Sequence, residues 1–130
     1  MRYPAGGTET ILVAEDDEAI RRLSESVLKE FGYSVILAED GEDAVAKFRE
    51  HMHRIDLLVL DMIMPRKNGK EAHEEIRKIR PDIKVLFASG YAADIIHGKG
   101  IVEEELDFIM KPVSPMDLLR KVREILDRKL

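Results

Sequence analysis

Short apolar runs alternate along the chain with longer stretches in which apolar residues recur three or four positions apart. The first run, Thr10-Ile11-Leu12-Val13-Ala14, has no polar face, the pattern of a parallel strand covered on both sides. Ile20, Leu23, Val27, Leu28 and Phe31 then repeat at helical spacing, and Gly32 supplies a stop. Ser34–Ala38 is short and β-branched, a second strand. Asp40 can cap a helix carrying Ala44, Val45 and Phe48 on one side. Residues 57–60, Leu-Leu-Val-Leu, form the clearest buried strand. A loop with Pro65, Asn68 and Gly69 leads to a helix with Ala72, Ile76 and Ile79 inward, and Pro81 ends it. Residues 85–88 and 106–110 give two more strands. Between them, His97-Gly98-Lys99-Gly100 breaks any long helix, so a short or irregular one is expected over residues 92–105. Ser114 caps a last helix with Pro115 at its first position, and its buried stripe is Leu118, Leu119, Val122, Ile125 and Leu126.

Strand and helix in alternation predict an α/β fold, a doubly wound parallel sheet with helices on both faces. Residues 1–9, with Pro4, Gly6 and Gly7, read as a flexible lead-in, and residues 10–130 as one domain. A chain of 130 residues can bury a real core without staples, and it contains no cysteine to make one. The formal net charge of -5 argues against binding a nucleic-acid backbone. No apolar run approaches the roughly 20 residues that span a bilayer. Residues 1–10 lack the apolar core of a signal peptide, so a cytoplasmic location without membrane insertion is expected.

In open parallel sheets, sites form beyond the carboxyl ends of the strands. Glu15-Asp16-Asp17 follow the first strand, Asp61 the third, Ser89 the fourth, and Lys111-Pro112 the fifth. These ends share one edge of a parallel sheet, so the side chains can converge. Crowded carboxylates raise one another's pKa or recruit a cation. With oxygen ligands alone, the expected cation is Mg2+, held by Glu15, Asp16 and Asp61. Asp61 could then attack phosphorus as a carboxylate nucleophile. The metal, the Lys111 ammonium and the Ser89 hydroxyl would neutralise the phosphoryl oxygens.

Four segments carry a family resemblance: Ile-Leu-Val-Ala-Glu-Asp-Asp at 11–17, Leu-Val-Leu-Asp-Met-Ile-Met-Pro at 58–65 with Gly69, Phe-Ala-Ser-Gly at 87–90, and Phe-Ile-Met-Lys-Pro at 108–112. In this order and at these separations the chain resembles a response-regulator receiver domain of two-component systems, from about Thr10 to Leu126. The resemblance implies a flavodoxin-like five-stranded sheet of order 2-1-3-4-5. It implies that Asp61 is the phosphoacceptor, that Glu15 and Asp16 are the acidic pair, and that Ile63 lends its backbone carbonyl to the metal. Ser89 matches the switch hydroxyl and Lys111 the site lysine. Phe108 takes the aromatic switch position, often Tyr in the family. The Lys111-Pro112 bond is commonly cis in such proteins. The implied partner is a sensor histidine kinase or a histidine phosphotransfer protein, and family members also form homodimers. The segment from Gly90-Tyr91 to Gly100 resembles receivers attached to hybrid sensor kinases. Bulky Ile63 and Tyr91, each two residues past a site residue, would hinder the attacking water and lengthen the life of the phosphoryl group.

Each residue alone has a plainer reading. Asp17 suits a helix cap, Asp61 a turn, and Lys-Pro the start of a loop. Their joint placement at one sheet edge is what singles them out. His51, His53, His73 and His97 fall on predicted helix ends and loops, and residues 70–80 read as a solvated helix face. Met62, Met64 and Met110 are expected to pack around the site. A magnesium-dependent phosphatase with an Asp nucleophile is a competing reading, as is a degenerate receiver serving only as a binding module. Such phosphatases carry an acid two residues past the nucleophile, and Ile63 has no proton to give. The intact Asp16, Asp61 and Lys111 count against degeneracy.

Overall fold

A computed structural model describes residues 4–90 and 106–128 of the chain. The elements run β1 (Thr10–Ala14), α1 (Glu18–Glu30), β2 (Ser34–Ala38), α2 (Gly41–His51), β3 (Ile55–Asp61), α3 (Gly69–Ile79), β4 (Lys84–Ser89), β5 (Asp107–Met110) and α4 (Pro115–Leu126). All strand pairs are parallel, in the order β2-β1-β3-β4-β5. This is the doubly wound parallel sheet that the alternation predicts, in the flavodoxin-like order that the resemblance implies. The stretch 92–105 lies outside the described residues.

Local chemistry sets the helix ends. The side chains of Asp17, Asp40, Asn68 and Ser114 each accept a backbone N–H in the first turn of the helix that follows. Asn68 and Glu71 complete a reciprocal capping box. Gly32, at φ 100°, turns the chain after α1 as a bulkier residue could not without strain.

The two-residue period of the strands divides the core. Leu12, Ala14, Leu58, Leu60, Val85 and Phe87 pack with Ala44, Phe48, Ala72 and Ile76 on one side of the sheet. Ile11, Val13, Leu57, Val59 and Leu86 pack with Leu28, Leu118, Leu119 and Val122 on the other. Full burial of each Val, Leu, Ile or Phe side chain in this set stabilises the fold by about 1.5–3 kcal/mol, so the central strands hold the frame fixed. Residues 4–9 have no helix or strand before Thr10, yet they are tied down. Gly7 N–H donates to Phe31 O at 3.1 Å, and Arg123 reaches both Gly6 O and the Glu9 carboxylate.

Three side chains depart from the pattern reading. Ile20 and Leu23 belong to the apolar stripe of α1 but are 41% and 54% exposed. Among the described residues, these two line an open cavity with Val113 and Leu118. His73, assigned to a solvated face, is buried within α3, its ring edge-on to Phe87 with centroids 5.4 Å apart.

Burial, with the Arg77 charge adding to it, pushes the His73 pKa down from 6.5 to about 4. The unfolded chain takes up this proton as pH falls through 6.5, whereas the folded chain resists until about 4. The neutral ring's contribution is therefore fully present above pH 6.5 and lost progressively as pH falls towards 4. After a discount for partial solvation, the loss is roughly 2 kcal/mol. The stability gap between wild type and His73→Leu is expected to shift by that amount between pH 7 and pH 4.5 in urea unfolding. A gap independent of pH would rule this out.

Candidate functional site

Parallel pairing continues one residue past several strands and so delivers the next side chain to a common edge. Glu15 N–H donates to Ala38 O at 3.1 Å, Met62 N–H to Ala88 O at 2.9 Å, and Lys111 N–H to Ser89 O at 2.8 Å. Asp61 ends β3 in register with Ala88, and Ser89 ends β4 in register with Met110.

Lys111 Nζ lies 2.8 Å from Asp61 Oδ2 and 2.9 Å from Glu15 Oε1. Both carboxylate residues are 5% exposed. The second oxygen of Glu15 accepts from Asp17 N–H at 3.0 Å, and Arg21 donates to the Glu15 carbonyl at 2.7 Å. Burial raises the Glu15 pKa. The Asp17 N–H and Lys111 offset part of that rise, and the Asp61 charge adds to it. Burial pulls the Lys111 pKa down, but its hydrogen bonds to Asp61 and Glu15 outweigh that and hold the ammonium above its ordinary value. One ammonium thus faces two buried carboxylates, with Asp16 exposed beside them.

Ligand oxygens of Glu15, Asp16 and Asp61 lie within 4.8 Å of one another. An all-oxygen, net-negative donor set fits a hard divalent cation. Asp17 instead caps α1 by accepting from Ile20 N–H at 3.1 Å. The loop after β3 folds back over the site, and Ile63 N–H lies 3.4 Å from Asp61 Oδ1. The Ile63 side chain is 63% exposed. Met62 and Met64, residues of this loop, are buried in the core with Ala72 and Ile76, and Met110 is 44% exposed.

Ser89 is fully buried at the end of β4. Phe108 is half-buried, stacked on Phe87 with ring centroids 5.6 Å apart. The Lys111-Pro112 peptide bond is cis. Tyr91 and His97 lie outside the described residues.

Three features of the packing could not be read from the residue pattern, although Gly69 itself belongs to the segments that carry the resemblance. Arg21 braces the Glu15 backbone from α1. Gly69 packs so closely on Asp61 that a Cβ there would lie 2.4 Å from the Asp61 carbonyl oxygen. A cavity of about 370 Å³ opens beside Asp61 and Lys111 and is walled by Ile20, Leu23, Val27, Val113 and Leu118.

The sequence model of the response regulator receiver domain matches residues 11–123. The chain is 34% identical over 123 residues to the sensor kinase CckA of Brucella abortus, covering 95% of this chain and 13% of that protein. It is 38% identical to the probable transcriptional regulator ycf27 of Porphyridium aerugineum, covering 92% of this chain and 49% of the relative. The chain therefore spans half or less of these relatives. Among solved structures, it resembles a receiver domain protein from Clostridium thermocellum with a TM-score of 0.83 and 27% identity, over 92% of this chain and 94% of that one. It also resembles the receiver domain of the hybrid histidine kinase CckA, with a TM-score of 0.77 and 31% identity, over 91% and 99%.

This chain belongs to the response regulator receiver domain family, the phosphoacceptor modules of two-component signalling. No helix among the described residues is long and apolar enough to cross a membrane.

Proposed function

We propose that Asp61 accepts a phosphoryl group from the phosphohistidine of a sensor histidine kinase or a histidine phosphotransfer protein. An Asp61 carboxylate oxygen forms the new bond to phosphorus as the N–P bond of phosphohistidine breaks, and the imidazole leaves with a proton. The observation that carries this reading is Asp61 itself, a buried carboxylate at the sheet edge with Lys111 at 2.8 Å. Glu15, Asp16, Asp61 and the Ile63 carbonyl would hold Mg2+, which when bound would supply charge neutralisation at the phosphoryl oxygens. Lys111 stays with the phosphoryl group as a fixed cation. Phosphoryl uptake from acetyl phosphate with Mg2+, compared between wild type and Asp61→Asn, tests the reading. Equal labelling of both proteins would overturn it.

Downstream of Asp61, the Ser89 hydroxyl turns to the phosphoryl oxygens and Phe108 moves inward, a shift between two populations. The stacking of Phe108 on Phe87 supports a coupling of this kind, since the ring cannot move without repacking β4. Ile63 shields the acyl phosphate from water, the role that its place in the sequence also suggests for Tyr91. Ile63→Ser is expected to shorten the phosphoryl half-life severalfold, and an unchanged half-life would remove Ile63 from this role.

The donor protein lands on α1. Exposed Ile20 and Leu23 wall the cavity that leads to Asp61, and apolar surface left open beside a reacting group marks a docking face. Leu23→Glu is expected to slow transfer from a phosphohistidine protein at least tenfold while leaving uptake from acetyl phosphate unchanged. Equal loss with both donors would place the defect in the site instead.

A further inference from the structure

Arg66 sits in the loop between β3 and α3 at φ 67°, the left-handed region that side chains rarely adopt. Such a conformation costs roughly 1–2 kcal/mol and persists only where neighbours enforce it. The Arg66 side chain, 61% exposed, reaches back to a buried partner, Asp40. Arg66 Nη1 lies 2.5 Å from Asp40 Oδ2, and Asp40 is 4% exposed. The other Asp40 oxygen is committed to the first turn of α2, accepting from Asp43 N–H at 2.7 Å. One buried carboxylate thus caps a helix and grips a loop at the same time.

The rest of the loop is pinned around this pair. Gly41 leaves no room for a side chain, because a Cβ there would lie 1.9 Å from the Lys67 carbonyl oxygen. Lys67 forms an ion pair with Glu75 of α3, and Gly69 N–H donates to Met62 O at 3.1 Å. The segment so held begins with Met62 and Ile63, and the Ile63 N–H faces the Asp61 carboxylate.

We infer that the Asp40–Arg66 pair is a latch that positions the Ile63 backbone at the site, so that Arg66 and Asp40 are positioning residues for metal binding. This rests on the reading of Asp61 as a magnesium-dependent phosphoacceptor. Without the Asp40 charge, Arg66 has no compensation for its backbone conformation, and the loop relaxes. The Ile63 carbonyl would then no longer be held where it could serve as a metal ligand. Partners that orient metal ligands from outside the coordination shell are worth about 10–100-fold in affinity.

Simple electrostatics makes the opposite forecast for one variant. Removing a cation from the neighbourhood of an acidic cluster should tighten Mg2+ binding. The latch requires Arg66→Ala to weaken it, so the sign of the change decides between them.

The experiment is calorimetric titration of the unphosphorylated protein with Mg2+, on wild type, Arg66→Ala, Asp40→Asn and the double variant. Asn at position 40 can still accept the Asp43 N–H, so α2 keeps its cap. Each single variant is expected to raise the Mg2+ dissociation constant about tenfold. The double variant should be no worse than either, because both break the same contact. Thermal unfolding of each variant separates lost positioning from lost fold. Should Arg66→Ala bind Mg2+ as tightly as wild type or more tightly, while wild type takes beryllofluoride at Asp61, the latch is wrong and the site reading stands. Should wild type neither bind Mg2+ nor take beryllofluoride, both fail.

Discussion

Asp61→Asn is expected to abolish phosphoryl uptake from acetyl phosphate and from a phosphohistidine protein alike, while the protein remains folded. The amide matches the carboxylate in shape but lacks the anionic oxygen that attacks phosphorus. Loss of a sole nucleophile removes rate by about 10⁴-fold or more, below detection in practice. Folding should survive for an electrostatic reason. Lys111 retains Glu15 at 2.9 Å, so neither buried charge is left unpaired. Removing the Asp61 charge also relieves its repulsion of Glu15. Intact-mass analysis after incubation with Mg2+ and acetyl phosphate reads the first outcome, and circular dichroism with a thermal melt reads the second. A base-labile adduct persisting on the variant would place the acceptor elsewhere.

Gly69→Ala is the second large effect, and it joins stability to function. The new Cβ would sit 2.4 Å from the Asp61 carbonyl oxygen, 3.1 Å from the Asp61 carbonyl carbon and 3.2 Å from Met62 Cα. All three are backbone atoms and cannot swing aside. Either the end of β3 or the start of α3 must shift. Overpacking of this kind costs about 1–3 kcal/mol. The same shift moves the Asp61 carboxylate relative to Lys111, and displacement near 1 Å costs about a hundredfold in rate. A lowered urea midpoint together with slowed uptake from acetyl phosphate is the expected pair of results. Full activity with a wild-type midpoint would mean that the loop absorbs the methyl elsewhere.

Much of the fold could be read from the chain because burial on both faces leaves a plain trace. Residues 57–60 have no polar position to offer solvent, and the structure buries every one. The helix caps were equally legible, since Asp40 and Ser114 act locally. β3 begins at Ile55 rather than Leu57, because Ile55 is fully buried while Asp56 stays at its edge and accepts from Thr10 N–H at 2.9 Å. His73 was misplaced for a related reason. Nothing in its neighbours' polarity shows that a ring at this point of α3 meets Phe87 on the face of the sheet that α3 covers.

The candidate site divides along the same line. The sequence alone determined the alternation of strands and helices, and with it the common edge to which Glu15, Asp16, Asp61, Ser89 and Lys111 are carried. That follows from chain order and parallel pairing, which need no knowledge of side-chain contacts. Only the tertiary structure decided which of these groups touch. It paired Lys111 with both carboxylates, set Arg21 under Glu15, pressed Gly69 onto Asp61, and left Ile20 and Leu23 open beside the site. It also joined Asp40 to Arg66 across 26 residues. Contacts of that range depend on where two elements pack, and local patterning carries no record of their separation in space.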